Sequence, residues 1–348
     1  MSGRVRLAID AMGGDNAPQM VIKGLKIARK RFPAVEYLLF GDQGKIEPLL
    51  KRAQKVARLV TIRHTVEAVS NDAKPSVALR AGRQSSMRLA IEAVRDGESQ
   101  GMVSAGNTGA LMAMAKMVLK TLPGIDRPAM ATYFPTLRGE SVMLDLGANL
   151  DCDARNLVQF AIMGEVFART LLGLDRPTVG LLNVGSEDAK GHEELRSAAA
   201  SLRAVPELLQ FHGFVEGTDI GLGSVDVIVT DGFTGNIALK TAEGTAKLVN
   251  AFLRGAFRSS LLARCGYLFA RGALRKVRTR TDPRRYNGAM FLGLNGIVVK
   301  SHGSTDALGF ANAVGVAVDM ITGRINDRIR AEFERLVIEP AKVRAAIG

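Results

Sequence analysis

Tryptophan is absent from this chain, tyrosine occurs four times and cysteine twice. Without an aromatic-interleaved basic platform, a nucleic-acid-binding module loses its main physical support, the stacking of bases on rings. Cys152 and Cys265 do not suggest a disulfide framework, so a cytoplasmic protein is expected. Neither cysteine sits in a recognisable setting for a reactive thiolate. The four histidines, His64, His192, His212 and His302, are scattered, and no His/Cys group has metal-ligand spacing. No apolar run reaches the ~18 residues of a membrane span. The apolar part of the opening MSGRVRLAIDAMGG is too short and too soon broken for a signal peptide. Also missing are G-x-G-x-x-G after the first strand, G-x-x-x-x-G-K-[ST] and G-x-S-x-G. Nicotinamide cofactors, P-loop nucleotides and the serine-hydrolase elbow lose their best signals.

Negative charge is also scarce. Against 47 lysines and arginines stand 34 acidic residues, a net charge of +13. Such a balance favours an acidic partner: nucleic acid, an anionic membrane or an acidic protein. The excess is concentrated. Between Arg254 and Arg285 ten cations face Asp282 alone, which is +9 of the +13.

What is present is a chain of 348 residues, 47% hydrophobic, able to bury a large core. Residues 1–348 read as one catalytic α/β domain or as two interdigitated lobes. Strands are expected at 4–9, 35–40, 58–62, 101–104, 141–146, 178–184, 211–214, 225–230 and 296–300. Helices are expected at 19–31, 44–53, 75–95, 108–121, 153–172, 191–203, 234–257, 260–275, 305–320 and 325–345. Apolar strands separated by helices argue for βαβ units and a largely parallel sheet.

Strands repeatedly end in polar, glycine-rich loops that open a helix: DAMGGDNAP (10–18), SAGNTGALM (104–112), DLGANLD (145–151), NVGSEDAKG (183–191), DGFTGNIALK (231–240) and HGSTDA (302–307). Ligands bind at the carboxyl ends of strands in open α/β sheets. Glycines permit close backbone approach, and helix N-termini present free N–H groups to an anion. Six such loops meeting at one sheet edge would make a polar, phosphate-friendly cleft.

Together with the segment NGIVVKSHGSTDA, these loops resemble, in order and over nearly the whole chain from about residue 5 to beyond 320, the acyl-ACP:phosphate acyltransferase family, PlsX. The resemblance implies an α/β/α sandwich with a largely parallel sheet, similar to isocitrate and isopropylmalate dehydrogenases and to phosphotransacetylases. It implies transfer of an acyl group from acyl carrier protein to inorganic phosphate, without a metal or organic cofactor. It further implies a homodimer peripherally associated with the inner face of the cell membrane. The acyl phosphate would pass to a membrane glycerol-3-phosphate acyltransferase in phospholipid synthesis.

The residues suit such chemistry. Phosphate is already a competent nucleophile, so the protein must hold it, place it and stabilise an oxyanion. Lys190 in SEDAKG would pair with phosphate or the carbonyl oxygen; its plainer role is a solvated charge. Asn236 would donate to the same oxyanion, while Thr234 and Gly235 offer helix-start N–H groups, although Thr234 is also an ordinary cap residue. Asn107, Thr108, Ser186 and Ser304 are further phosphate-binding candidates, with Gly13 and Gly14 giving backbone access. Asp145 and Asn149 flank the glycine of DLGAN, order the neighbouring loops and, for Asn149, also reach phosphate. Asp10, Asp15, Asp188 and Asp231 are anions and would repel phosphate, so they are expected to shape the site by holding lysines or loop amides. His302 could donate a proton to the leaving thiolate; for an isolated histidine, packing or a helix start is the plainer role.

The basic segment, 250–285, has its own pattern. Leu261, Leu262, Cys265, Leu268 and Phe269 form one helical face, with Arg264, Arg271 and Arg275 along its flank. That is the build of an interfacial amphipathic helix, of a docking surface for an acidic carrier protein, or of a core helix with a solvated cationic side. Rival functions are a phosphate acetyltransferase-like enzyme using acyl-CoA, a nucleic-acid-binding module, and a structural membrane adaptor, for which six polar loops would have no purpose.

Overall fold

The computed structural model describes residues 4–338. The strands are β1 (Arg6–Asp10), β2 (Glu36–Gly41), β3 (Val60–His64), β4 (Gly101–Ser104), β5 (Ala129–Pro135), β6 (Glu140–Leu144), β7 (Thr178–Leu182), β8 (Gln210–Val215), β9 (Val227–Val229), β10 (Ala289–Leu292) and β11 (Ile297–Lys300). The helices are α1 (Gln19–Arg31), α2 (Gln43–Lys51), α3 (Gln54–Ala57), α4 (Pro75–Ala81), α5 (Ser86–Arg95), α6 (Thr108–Leu119), α7 (Ala154–Leu171), α8 (Glu193–Arg203), α9 (Gly217–Leu222), α10 (Gly232–Arg258), α11 (Leu261–Arg280), α12 (Ala307–Thr322) and α13 (Ile325–Ile338). Of the helix expected at 325–345, residues 339–345 lie outside the described residues.

All the strands join one 11-stranded sheet in the order β3-β2-β1-β4-β11-β10-β5-β6-β9-β7-β8. Side chains alternate between its faces. On β1, Leu7 and Ile9 enter the core that holds α1, α7 and α12, while Ala8 enters the core that holds α5 and α6. Burial on both faces is why these strands read as unbroken apolar runs. The result is helices on both sides of a mostly parallel sheet, as expected.

Two strands escape the sequence pattern, and they change the architecture. β10 runs antiparallel to both β11 and β5, and β5 runs antiparallel to β6. β3, β2, β1, β4 and β11 are mutually parallel, as are β6, β9, β7 and β8. Each antiparallel pairing reverses direction, so the two parallel sets point oppositely. The expectation of six loops at one sheet edge is therefore corrected. The loops after β1, β4 and β11 leave one end of the sheet; those after β6, β9 and β7 leave the other.

The helix expected at 75–95 is broken into α4 and α5. Ser85 Oγ accepts the Arg88 N–H at 3.3 Å and starts a new helix.

α10 and α11 form a helical hairpin. Beyond its first turns α10 packs only lightly on the sheet, through the half-buried Ala238 and Leu239. α11 has no buried residue. Phe257 meets Tyr267 edge-on at 5.5 Å between the two helices. Leu261, Leu262 and Phe269 are 79%, 83% and 91% exposed, so within this chain α11 is not a core helix. Among the described residues no single helix is long and apolar enough to cross a membrane.

Candidate active site

The first loop cluster forms around Asp10, at the end of β1. Its side chain is 1% exposed. Ser86 Oγ donates to Oδ1 and Ser104 Oγ to Oδ2, both at 2.6 Å, and the Met12 N–H reaches Oδ1 at 3.2 Å. Burial pushes this carboxyl above the usual range, against the pull of those hydrogen bonds. Gly13 lies so close to the β4 loop that a Cβ would stand 2.7 Å from the Gly106 nitrogen. The Asp15 N–H donates to the Gly303 carbonyl at 3.0 Å, which ties the β1 loop to the β11 loop. Asn71 Nδ2 donates to Asp15 Oδ1 at 2.7 Å. Asn107 caps α6 by accepting the Ala110 N–H at 2.9 Å and gives its amide hydrogens to the Asn71 and Ala73 carbonyls. Thr108 is exposed at the first turn of α6.

β11 ends this cluster with Lys300 and the loop Ser301–His302–Gly303–Ser304. The Lys300 side chain is buried, and its ammonium donates to the Ser301 carbonyl. Burial first, then Lys240, lower its pKa to about 8, with Asp10 and Asp15 opposing the shift. The His302 N–H is held by Asn287 Oδ1 at 2.9 Å, and its Nδ1 lies 3.0 Å from Ser304 Oγ. Desolvation and the charge of Lys240 hold the imidazole below its usual range. A Ser–His pair of this kind lacks an orienting carboxylate: among the described residues none hydrogen-bonds the His302 ring.

The second cluster forms around Asp145, just after β6 and fully buried. It accepts the N–H groups of Met130, Gly147, Ala148 and Asn149 at 2.7–3.2 Å, and Asn149 Nδ2 at 2.8 Å. Burial nonetheless pushes its carboxyl upward. The second amide hydrogen of Asn149 goes to the Pro128 carbonyl at 2.8 Å, so both are engaged inside the protein. The first turn of α10 presses onto this loop: Gly232 N donates to the Asn149 carbonyl at 2.7 Å. A Cβ on Gly235 would fall 1.9 Å from the Asp145 carbonyl oxygen. Asp231 caps α10 through the Thr234 N–H and hydroxyl, both at 2.8 Å. Asn236 Nδ2 donates one hydrogen to the Leu146 carbonyl at 3.2 Å.

In the β7 loop, Ser186 and Lys190 are exposed. Asp188 pairs with Arg203, not with a lysine or a loop amide as expected. Next to Asn149 opens a cavity of about 530 Å³ whose lining includes Arg127, Leu150, Cys152 and Asn156. Burial and nearby carboxylates raise the Cys152 thiol to about 12, so it is no nucleophile at neutral pH.

Lys190 and Asn236 thus stand on elements that leave one end of the sheet and His302 on a loop that leaves the other. Asn236, Lys240, Glu243 and Lys247 fall on one helical face, and the charges of the last three act on His302. The sequence reading missed Lys300, Lys240, Ser86 and Ser104. A lysine closing the buried run IVVK, and another one turn after Asn236, were the available signals.

The strand-end loops of this α/β protein gather buried carboxylates, amides and cations, and among the described residues no cysteine or serine is set up as an activated nucleophile. The family model described as fatty acid synthesis protein matches residues 5–328. The chain belongs to that family, PlsX, and is an acyltransferase. It is 67% identical to the phosphate acyltransferase of Rhodospirillum centenum, covering 97% of this chain and 95% of the relative. It is 64% identical to that of Paramagnetospirillum magneticum, covering 99% and 97%. Among solved structures it shares its fold with a phosphotransacetylase from Streptococcus pyogenes, at a TM-score of 0.64 and 16% identity over 92% of this chain and 95% of that one.

Proposed function

We propose that the protein transfers a fatty acyl group from acyl carrier protein to inorganic phosphate, giving acyl phosphate for phospholipid synthesis. The observation that carries this is near-full-length identity of 67% to a relative named phosphate acyltransferase. The site is in keeping with it. A phosphate oxygen attacks the thioester carbonyl, a C–O bond forms, the C–S bond breaks, and the pantetheine sulfur leaves as thiolate. Such a displacement asks for charge and N–H donors. In this scheme Lys190 and the free amide hydrogen of Asn236 stabilise the oxyanion, and His302 stands on the side of the leaving group. Gly13, Gly14, Thr108, Ser186 and Ser304 remain candidates for the phosphate lining; Thr234 and Gly235 do not, because Asp231 takes both of their N–H groups. Asp10, Asp145 and Asp231 order the loops.

The α10–α11 hairpin serves as the docking arm. Its basic, apolar surface suits an anionic membrane, an acidic carrier protein, or both in turn, and the protein works as a homodimer that hands acyl phosphate to a membrane glycerol-3-phosphate acyltransferase. The decisive assay follows phosphate-dependent loss of acyl-acyl carrier protein. Turnover of acyl-CoA but not of acyl carrier protein would favour the phosphate acetyltransferase-like alternative.

A further inference from the structure

Asn183, the first residue after β7, joins the sheet to the loop that carries Lys190. Its backbone N–H donates to the Val215 carbonyl of β8 at 2.8 Å, so the residue is held to the neighbouring strand. The residue is 9% exposed, and both ends of its amide are engaged by the loop. Oδ1 accepts the Val184 N–H at 2.8 Å, and Nδ2 donates to the Lys190 carbonyl at 3.2 Å, seven residues further on. An N–H group at one end and a carbonyl at the other fix which way the amide faces. Gly191 follows with a φ of +86°, a conformation that glycine adopts freely. A Cβ on Gly191 would run into the Asn183 amide. A Cβ on Gly185 would stand 3.2 Å from Lys190 Cγ, so the lysine stem lies against that glycine.

Lys190 itself is exposed, and a merely solvated lysine needs no such support. The other ties of this loop lie at the surface. Asp188 pairs with Arg203 through side chains 75% and 45% exposed, and Arg196 reaches the Ala189 and Gly191 carbonyls only at 3.4 and 3.5 Å. Exposed pairs hold little, and contacts of that length are weak. The buried amide is therefore the tie that sets where the Lys190 backbone sits.

We infer that Asn183 is a positioning residue for acyl transfer: it ties the Lys190 backbone to the end of β7, so that the ammonium meets the reacting phosphate or carbonyl oxygen at a set distance. This rests on the reading above in which Lys190 acts on the substrate. Asn183 touches no reacting atom in this scheme and works through Lys190.

The test uses the full chain and the variants Asn183→Asp, Asn183→Ala, Lys190→Ala and the double variant of Asn183→Asp with Lys190→Ala. Acyl phosphate formation gives kcat and the KM for phosphate, with the melting temperature measured beside them. Asn183→Asp keeps an acceptor for Val184 and sets a carboxylate oxygen against the Lys190 carbonyl; Asn183→Ala removes both contacts. Each should lose roughly tenfold to a hundredfold in kcat/KM for phosphate, the scale set by a misplaced catalytic group. The loss should fall in the same parameter, kcat or KM, as that of Lys190→Ala, which a general loosening of the fold would not reproduce. In the Lys190→Ala background, Asn183→Asp should cost less than about twofold more, because residues that act as a unit are not additive. The full factor appearing again in that background would overturn the inference, as would near-normal kinetics of both Asn183 variants beside an impaired Lys190→Ala. Normal turnover of Lys190→Ala would remove the reading beneath it, and the inference with it. If Asn183→Asp does not fold, Asn183→Ala and its own double variant carry the test, since alanine buries no charge.

Discussion

Lys240 on α10 lies close enough to His302, in the loop after β11, for its charge to lower the imidazole's affinity for a proton. The two residues belong to elements that leave the sheet at opposite ends, since α10 follows β9 and the sheet reverses between β11 and β6. The helix thus carries the charge that acts from one loop cluster on the other. One turn before Lys240 stands Asn236, which touches the Asp145 loop.

That placement makes Asn236 the sharper of the two oxyanion candidates. One of its amide hydrogens is held by the Leu146 carbonyl, which orients the group and leaves the other free. Removing a single preorganised oxyanion donor typically costs about a hundredfold to a thousandfold in turnover. Asn236→Ala is expected to lose kcat on that scale, measured as acyl phosphate formation, with its melting temperature little changed. Lys190→Ala should lose turnover as well. Near-normal rates in folded variants would remove both residues from the mechanism.

Lys300 makes the protein's stability respond to alkaline pH. Its pKa is lowered to about 8 in the folded state, against the ordinary lysine value of 10.5. Between those values the unfolded chain binds a proton that the folded chain does not, so stability rises as pH increases through the window. Burial is the main cause, Lys240 adds to it, and Asp10 and Asp15 oppose it. The rise is at most about 3.5 kcal/mol, since each pKa unit corresponds to ~1.4 kcal/mol. Urea unfolding at several pH values should show it in the wild type and not in Lys300→Met. Parallel curves for the two proteins would count against a depressed lysine at this position.

Gly235 tests the seam between α10 and the Asp145 loop. A methyl group there would sit 1.9 Å from a carbonyl oxygen, too close for any side chain to yield, so backbone must move. Overpacking of this kind costs typically ~1–3 kcal/mol. Gly235→Ala should therefore melt measurably earlier and lose activity through displacement of Asn236. Gly244→Ala, in the same helix with open space around its Cβ, should do neither.

Much of the fold was legible because the chain writes it twice, in apolar runs and in capping residues. β7 and β9 announce themselves as LLNV and VDVIVT, and Asp153 and Asp231 sit where helices start. β5 and β10 were not legible. β10 is four residues long between Gly288 and Gly293, so it resembles a loop, and β5 follows a proline that suggests a turn. Those two strands reverse the sheet, which is why six loops of similar composition could be assigned to one edge when they form two clusters. The glycine-rich loops were found because glycine and aspartate mark them. Lys300 and Lys240 were passed over because a lysine in a strand or helix carries no mark until its neighbours are known.

The docking arm yields the last prediction. Leu261 and Leu268 lie two turns apart on α11, 79% and 63% exposed, with Phe269 beside them at 91%. Arg264, Arg271 and Arg275 are all exposed along the same helix. Burying a leucine side chain is worth about 1.5–3 kcal/mol, and cations near an anionic surface add attraction that salt screens. The protein is expected to sediment with vesicles of phosphatidylglycerol and phosphatidylcholine, less so as salt is raised. Leu261→Glu combined with Leu268→Glu removes apolar area and adds two negative charges, so vesicle binding should fall sharply. Catalysis in solution should persist, because α11 contributes no residue to either loop cluster. Equal sedimentation of the double variant and the parent would argue against this helix as the membrane anchor and leave the exposed face to the carrier protein or to a second copy of the chain.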